Sequence, residues 1–154
     1  MDILWLIPTL PLLGFTILVL SSGRMPREKA RVVGIGSIAL SFLTTLYIAT
    51  QYYAAASHGL DHGAGFTVSL WPWIVAGDLN LNFSLYLDGL SLSMLFVITG
   101  VGTLIHIYAS GYMWDDPDYT RFFTYMNLFV AAMLMLVLAG NLVLMFLGWE
   151  GVGL

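Results

Sequence analysis

The sequence predicts an all-α integral membrane protein, a polytopic bundle of four full helical spans and the start of a fifth, with a small β-hairpin in an outer loop. Apolar residues make up 59% of the 154 positions and charged residues only 9%, whereas a soluble domain carries about 25% charged residues. Long stretches contain no charged side chain, and the bases fall in or beside short loops. We therefore interpret 1–154 as one membrane domain.

The first apolar stretch, Ile3 to Leu20, predicts a retained transmembrane helix. A secretory signal peptide would need a basic region before its apolar run, but this chain has no base before Arg24. Two further uncharged stretches, Val32 to Ala56 and Leu90 to Ser110, follow it. Each has about the 20 residues that a hydrocarbon core of roughly 30 Å requires.

The last apolar stretch, Phe122 to Trp149, is too long for one ordinary span. It has no charge over 28 residues, and a helix of that length would measure about 42 Å. Gly140-Asn141 suits a helix C-terminus and a tight turn, so we predict a fourth span over 122–139 and a fifth over 141–154. The fifth would end inside the bilayer, where unsatisfied carbonyls are costly. We therefore expect the sequence to be a piece of a longer protein.

The basic residues predict the orientation. Most of them lie in the loop 21–31, which the positive-inside rule places in the cytoplasm, so the N-terminus is outside. The outer loop 57–87 contains no Lys or Arg. The following loop, Gly111 to Thr120, returns inside, and Arg121 at its edge is interpreted as an interfacial anchor.

The outer loop contains two segments rich in β-forming residues. These are Phe66 to Ile74 and Leu79 to Leu87, and they flank Ala76-Gly77-Asp78. The second alternates apolar and polar residues. Together they predict a β-hairpin on the membrane surface, with Trp71 and Trp73 at the level of the lipid headgroups.

Glu150 is the main candidate functional residue. A fifth helix that starts near Asn141 places it about 13 Å deep, close to the midplane of a core about 30 Å thick. An acid there costs at least ~2.5–3.5 kcal/mol, so we interpret it as a proton relay group whose charge a mobile basic partner would control. The flanking Gly151 and Gly153 permit close helix approach. The alternative is a short interfacial tail with Glu150 at the surface.

Asp88 and His106 are secondary candidates for proton translocation, and each has a structural alternative. Asp88 is at the outer start of the third span, where an aspartate satisfies free amides and suits the helix dipole. We favour that role over direct ion transfer. His106 is near the inner end of the same span, where the C-terminal dipole would stabilise its protonated form. A satisfied interfacial histidine is the alternative to a role in a proton path.

Several kinds of site are not indicated. His58 and His62, with Asp61 between them, have a spacing that suits metal binding only on a helix, and the intervening glycines disfavour a helix. The chain has no cysteine, which excludes disulfides and thiolate-held clusters. It shows no nucleotide-binding glycine loop, and its five bases are too few to predict a nucleic-acid partner. We predict no cofactor in this chain.

The run Gly148 to Leu154, which reads GWEGVGL, resembles the signature of subunit L of bacterial NADH–quinone oxidoreductase, or respiratory complex I. Its mitochondrial equivalent is the fifth mitochondrially encoded core subunit. Other short matches occur in the expected order: Leu87 to Leu92, Arg121 to Phe123, Asn127 to Phe129, Asn141-Leu142, and the loop with Trp71 and Trp73.

The resemblance implies the first part of an antiporter-like subunit at the distal end of the membrane arm, in a bacterial inner membrane. The family's full subunit has two inverted repeats of five helices and a lateral helix. It translocates protons, driven by quinone reduction in other subunits, which bind NADH, FMN, iron–sulfur clusters and quinone. The glutamate that matches Glu150 pairs in the family with a lysine on a later helix. The implied partners are other membrane-arm subunits, especially the adjacent antiporter-like subunit, and the lipid bilayer.

Two other functions remain open from the sequence. One is the large subunit of a multi-subunit sodium/proton antiporter, which shares the architecture and the glutamate but departs from GVGL after Trp-Glu. The other is a membrane scaffold without a transport role.

Overall fold

The computed structural model of the protein describes residues 3–21, 24–57, 65–77 and 79–153. The described elements are, in chain order, α1 (Leu6–Ser21), α2 (Arg27–Ser57), β1 (Phe66–Ala76), β2 (Leu79–Leu87), α3 (Gly89–Phe96), a π-helical turn (Val97–Val101), α4 (Gly102–Tyr112), α5 (Tyr119–Leu138) and α6 (Leu142–Gly153). The predicted mostly helical membrane architecture with one small antiparallel hairpin is confirmed.

Three helical stretches in the described part of the chain are long and apolar enough to cross a membrane. They are Arg27–Ala55, Gly89–Tyr112 and Tyr119–Leu138. α1 and α6 are also apolar but have only 16 and 12 residues, which correspond to about 24 and 18 Å. The count of four full spans and a fifth therefore stays a prediction.

The second helix begins earlier than its apolar stretch. α2 starts at Arg27, and Pro26 O accepts a hydrogen bond from Ala30 N at 3.1 Å. The second half of the predicted loop 21–31, from Arg27 onward, is therefore helical. The helix starts five residues before the apolar stretch at Val32 because a helix can continue from lipid into water, where charged side chains are solvated. The hydropathy of the sequence marks the lipid boundary and not the helix end.

The third predicted span is one continuous helical rod with a π-helical turn in its middle. Thr99 Oγ1 donates to Leu95 O at 2.6 Å, and Thr103 Oγ1 donates to Thr99 O at 2.6 Å. These hydroxyls satisfy carbonyls where the regular α-helical spacing is interrupted. No feature of the residue pattern predicted this turn.

The hairpin contains both predicted strands, and β1 extends two residues further than predicted, to Ala76. β1 and β2 pair antiparallel, with Phe66 opposite Leu87, and the register shifts twice within β1. Pro72 lies at the second shift, which is where a residue without an N–H is tolerated in a strand. Gly77, between the strands, has φ of 59°, a left-handed conformation that glycine adopts without steric cost.

The loops gather at two opposite ends of the bundle. Arg27 Nη1 donates to Trp114 O at 2.7 Å, so the α1–α2 connection and the α4–α5 loop lie together; we call this the basic end. Gly140 N donates to Ser84 O at 2.8 Å, so the hairpin lies against the α5–α6 turn at the other end, the hairpin end. The topology predicted from the sequence places the loops 21–31 and 111–120 on the same side of the membrane. Which side of the membrane the basic end faces stays a prediction.

A buried polar cluster joins three helices. Asn127 on α5 is fully buried; its Oδ1 accepts from Ser37 Oγ at 2.5 Å, and its Nδ2 donates to Phe123 O at 2.9 Å and to Gly34 O at 3.4 Å. Gly14 on α1 covers this cluster, since a methyl group there would lie 2.6 Å from Ser37 Oγ. The sequence pattern predicted neither the hydrogen-bond partners of Asn127 nor the close approach of Gly14 to Ser37.

A second buried hydroxyl compensates for a proline. Pro11 lies inside α1 and has no N–H, so the carbonyl of Ile7 lacks its usual helical donor. Ser41 Oγ on α2 donates to Ile7 O at 2.7 Å, and the Ser41 side chain is fully buried. This bond therefore satisfies a carbonyl that would otherwise be unpaired in an apolar interior.

Ser41→Ala is expected to destabilise the protein by about 1 kcal/mol, within the range measured for hydrogen bonds between membrane helices. In a Pro11→Ala background the restored N–H at position 11 would satisfy the Ile7 carbonyl, so the same substitution should cost less than half as much. Unfolding of the four proteins in a detergent–denaturant titration measures the difference. Equal costs in both backgrounds would show that the Ser41–Ile7 bond is not the cause.

Candidate functional site

Glu150 lies on α6, close to the position that the sequence predicts. Asn141 Oδ1 accepts from Leu144 N at 2.9 Å, so Asn141 caps the helix start as an asparagine commonly does. Glu150 is eight residues after Leu142, the first residue of α6, or about 12 Å along the helix axis. The predicted turn at Gly140-Asn141 and the depth of the acid from this helix end are thus reproduced.

Small residues bring α6 directly against α5. A methyl group added at Gly148 would lie 2.6 Å from the backbone N of Leu136 and 2.8 Å from its Cα. One at Gly151 would lie 3.1 Å from Ala132 Cβ. The predicted close approach is confirmed for these two glycines. Among the described residues, no heavy atom lies within 4 Å of the same position at Gly153.

The side chain of Glu150 is exposed on the surface of the described residues. Its place near the membrane midplane stays a prediction, and this part of the chain does not enclose the acid. The physical reason is the packing stripe of α6: Leu144 and Gly148 are buried, and Glu150 lies outside that stripe. Within the described residues Glu150 has no ion-pair partner.

Asp88 caps the third helical rod. Its Oδ1 accepts from Ser91 N at 2.6 Å, and its backbone is extended with φ −127° and ψ −177°. Asp88 O also accepts from Leu92 N at 2.9 Å. The predicted helix-start role is confirmed in geometry.

Substitutions at Asp88 separate the cap from a role in ion transfer. Asp88→Ala should cost about 1 kcal/mol of stability because one first-turn amide loses its acceptor. Asp88→Asn should keep nearly all the stability, since asparagine caps about as well. Thermal unfolding in detergent measures both. If Asn preserves stability but abolishes transport in the full-length protein, the cap is not the whole function of Asp88.

His106 is inside the bundle and not at its surface. Its side chain is 1% exposed, its Nδ1 lies 2.8 Å from Gly102 O, and its ring packs edge-on against Phe123 with centroids 5.9 Å apart. The Nε2 atom is buried, and no described residue bonds to it. The ring is buried because α4 packs this face on its neighbours, and both a role in a proton path and an interfacial position stay predictions.

His106 is also too far from the end of its helix for the predicted effect of the helix dipole. α4 ends at Tyr112, six residues later, and the influence of a helix terminus falls off within the last turn. The three predicted site residues do not form one constellation: within the described residues no hydrogen bond or ion pair joins Glu150, His106 and Asp88.

The remaining predicted residues have simpler environments. Arg121 Nη1 lies 3.2 Å from Asp118 Oδ1 in an exposed pair, which contributes little to stability. Three residues of the doubtful metal pattern, His58, Asp61 and His62, lie outside the described residues. Among the residues that are described, no group of three or more His, Cys, Asp or Glu is placed to hold a metal.

One polar residue at the centre of the helix packing, Asn127, was not predicted from the sequence as a structural or functional residue. Asn127 lies in a stretch without charges, where a polar side chain needs a partner, and this was the available signal. In the sequence, Asn127 contributes only to the short match Asn127 to Phe129 of the family resemblance.

Comparison with known proteins decides the family. Residues 73–123 match the family model described as the N-terminus of chain 5 of NADH-ubiquinone oxidoreductase (complex I). Over 154 residues, all of this chain, the sequence is 49% identical to NADH-quinone oxidoreductase subunit L of Escherichia coli (strain K12). The chain belongs to the subunit L family.

Two further relatives show the breadth of the match. The Pseudomonas aeruginosa subunit L is 46% identical over all 154 residues. NADH-ubiquinone oxidoreductase chain 5 of Dictyostelium citrinum is 36% identical over 145 residues, or 94% of this chain and 21% of that protein. The chain spans about a quarter, 24%, of the length of the two bacterial relatives. The resemblance to subunit L that GWEGVGL indicated is confirmed.

Proposed function

We propose that this chain is the N-terminal part of a proton-translocating membrane-arm subunit of NADH–quinone oxidoreductase, and that the whole subunit couples quinone reduction by NADH to proton pumping. The identity of 49% over all 154 residues to a subunit L carries the proposal. In this proposal the chain is a non-redox part of a translocase. NADH, FMN, iron–sulfur clusters and quinone bind to other subunits.

The proposed topology follows the distribution of charge. The chain has four full spans and the start of a fifth in a bacterial inner membrane, with the N-terminus outside and the loop 21–31 in the cytoplasm. The contact between Arg27 and Trp114 supports it, because it joins the two loops that this topology puts on the cytoplasmic side. The adjacent antiporter-like subunit and lipid are the proposed neighbours.

Glu150 is the proposed proton-carrying group. The glycines of α6 fix its backbone against α5 and its side chain is exposed on the remaining surface, where a lysine from a later helix of the full subunit would approach. A nearby cation favours the charged carboxylate, and withdrawal of the cation favours proton uptake. The geometry thus suits an acid whose partner comes from outside this part of the chain.

His106 and Asp88 are the proposed secondary groups. The buried Nε2 of His106 has no bonding partner among the described residues, and an imidazole can both accept and donate a proton. The π-helical turn ends one residue before Gly102, the residue whose carbonyl contacts the His106 ring, and such turns occur frequently at functional sites. Asp88 is the weaker of the two, because its carboxylate is already used as a cap.

Copurification tests the proposed assembly. A tagged full-length subunit, extracted in mild detergent, should be recovered with flavin- and iron–sulfur-bearing subunits, which absorbance and iron analysis would detect. Recovery only with small antiporter subunits would instead identify a sodium/proton antiporter and contradict the proposal.

A further inference from the structure

A groove at the basic end combines an apolar floor with a charged rim. It has a volume of about 680 Å³ and lies between the end of α1, the start of α2 and the start of α5. We call the apolar part of its lining, which includes Phe15, Val19 and Leu128, the floor, and the charged part, which includes Arg27 and Arg121, the rim. This division of polar and apolar lining matches an amphiphilic ligand.

The two rim arginines retain hydrogen-bonding capacity. Arg27 uses Nη1 on Trp114 O at 2.7 Å, and Arg121 uses Nη1 on Asp118 Oδ1 at 3.2 Å. A guanidinium has five N–H donors, so each of these arginines keeps others for an anion. Two parallel N–H groups of an arginine fit a phosphate well.

The start of α5 adds to the positive character of the rim. Asp118, at the cap position, makes no side-chain capping bond, so the first-turn amides of this 20-residue helix have no acceptor from it. The positive end of a helix dipole favours an anion. Asp118 also lines the groove and opposes an anion there, but its carboxylate is paired with Arg121.

The apolar floor distinguishes the ligand from a free anion. Val19 is 44% exposed and Tyr125 67% exposed, and both line the groove. These side chains are free to contact the acyl chain of a ligand whose headgroup binds to the arginines. All five Lys and Arg of the chain are at this end. Basic pockets between membrane helices commonly bind anionic lipid headgroups.

We propose that this groove binds an anionic phospholipid, with its phosphate on Arg27 and Arg121 and one acyl chain along Phe15, Val19 and Leu128. The site is separate from Glu150 and does not depend on proton translocation. Its role is to hold the lipid against α1 and α5 at the basic end.

Titration of the purified full-length subunit in detergent tests the proposal, with dioleoylphosphatidylglycerol as the ligand and native mass spectrometry as the readout. Phosphatidylcholine is the neutral comparison. A base near a membrane surface contributes about 1 kcal/mol, so each of Arg27→Gln and Arg121→Gln should weaken binding about fivefold, and the pair about thirtyfold. Lys29→Gln is the matched control, because it removes a base from the same end outside the groove lining, and it should change binding less than about twofold.

A second variant tests the floor without changing any charge. Val19→Trp fills the apolar part of the groove and leaves the Arg27–Trp114 bond in place, so it should also weaken binding of the anionic lipid. The proposal is overturned if the double arginine variant binds like the unaltered protein, or if Lys29→Gln weakens binding as much as Arg27→Gln. Equal binding of phosphatidylcholine, or of glycerol phosphate without acyl chains, overturns it as well.

Discussion

Replacing Glu150 with glutamine in the full-length subunit is expected to lower proton pumping by roughly an order of magnitude or more, because an ionisable group within a membrane helix is retained for function. Glutamine has a similar shape but cannot take up or release a proton at neutral pH. The rate of NADH oxidation and the assembly of the complex should decrease less than proton pumping. The measurement is proton uptake per NADH oxidised in inverted vesicles that contain the assembled complex.

Glu28→Gln is the control for this prediction. Glu28 is an exposed acid in the first turn of α2, so its replacement removes the same charge from the chain away from α6. Pumping should remain within about twofold of the unaltered protein, as expected for a solvated charge. Unchanged pumping in Glu150→Gln would instead favour a scaffold without a transport role.

A methyl group at Gly148 is expected to destabilise the contact between α5 and α6. In Gly148→Ala the added Cβ would lie 2.6 Å from Leu136 N and 2.8 Å from its Cα, and backbone atoms cannot move aside as a flexible side chain can. Overpacking of this kind costs about 1–3 kcal/mol. Because α6 would shift, the position of Glu150 would change, and pumping should fall with stability.

Gly153→Ala is the matched control for Gly148→Ala. It makes the same substitution in the same helix, at a position where no atom of a described residue lies within 4 Å of the added group. Alanine favours a helix over glycine by up to about 1 kcal/mol, so this variant should be at least as stable as the unaltered protein. Unfolding in detergent measures both variants. Equal stability of the two would mean that Gly148 does not set the distance between the helices.

Features with a local chemical cause could be predicted from the sequence. The cap at Asp88, the turn at Gly140-Asn141 and the hairpin around Gly77 each depend on a few consecutive residues with a specific backbone preference. Side-chain oxygens accept from free amides at helix starts, and glycine adopts positive φ. The structure reproduces all three because each preference is satisfied by atoms of the same few residues.

Features that depend on which helix face meets which neighbour could not be predicted. Glu150 is outside the packing stripe of α6, whereas His106 is in the interior. In a soluble helix, the apolar face marks the interior. In a membrane helix the lipid-facing and protein-facing sides are both apolar, so the pattern gives no face.

The sequence alone determined that this chain is a membrane protein of the subunit L family, that its last apolar stretch breaks at Gly140-Asn141, and which acid is the candidate proton carrier. Each of these follows from composition, local backbone chemistry or an uninterrupted motif. Only the tertiary structure decided that Ser37 pairs with Asn127, that Ser41 satisfies the carbonyl freed by Pro11, and that Glu150 faces outward. These depend on helix rotation, which is fixed by small-residue contacts and buried hydrogen bonds between residues far apart in the chain.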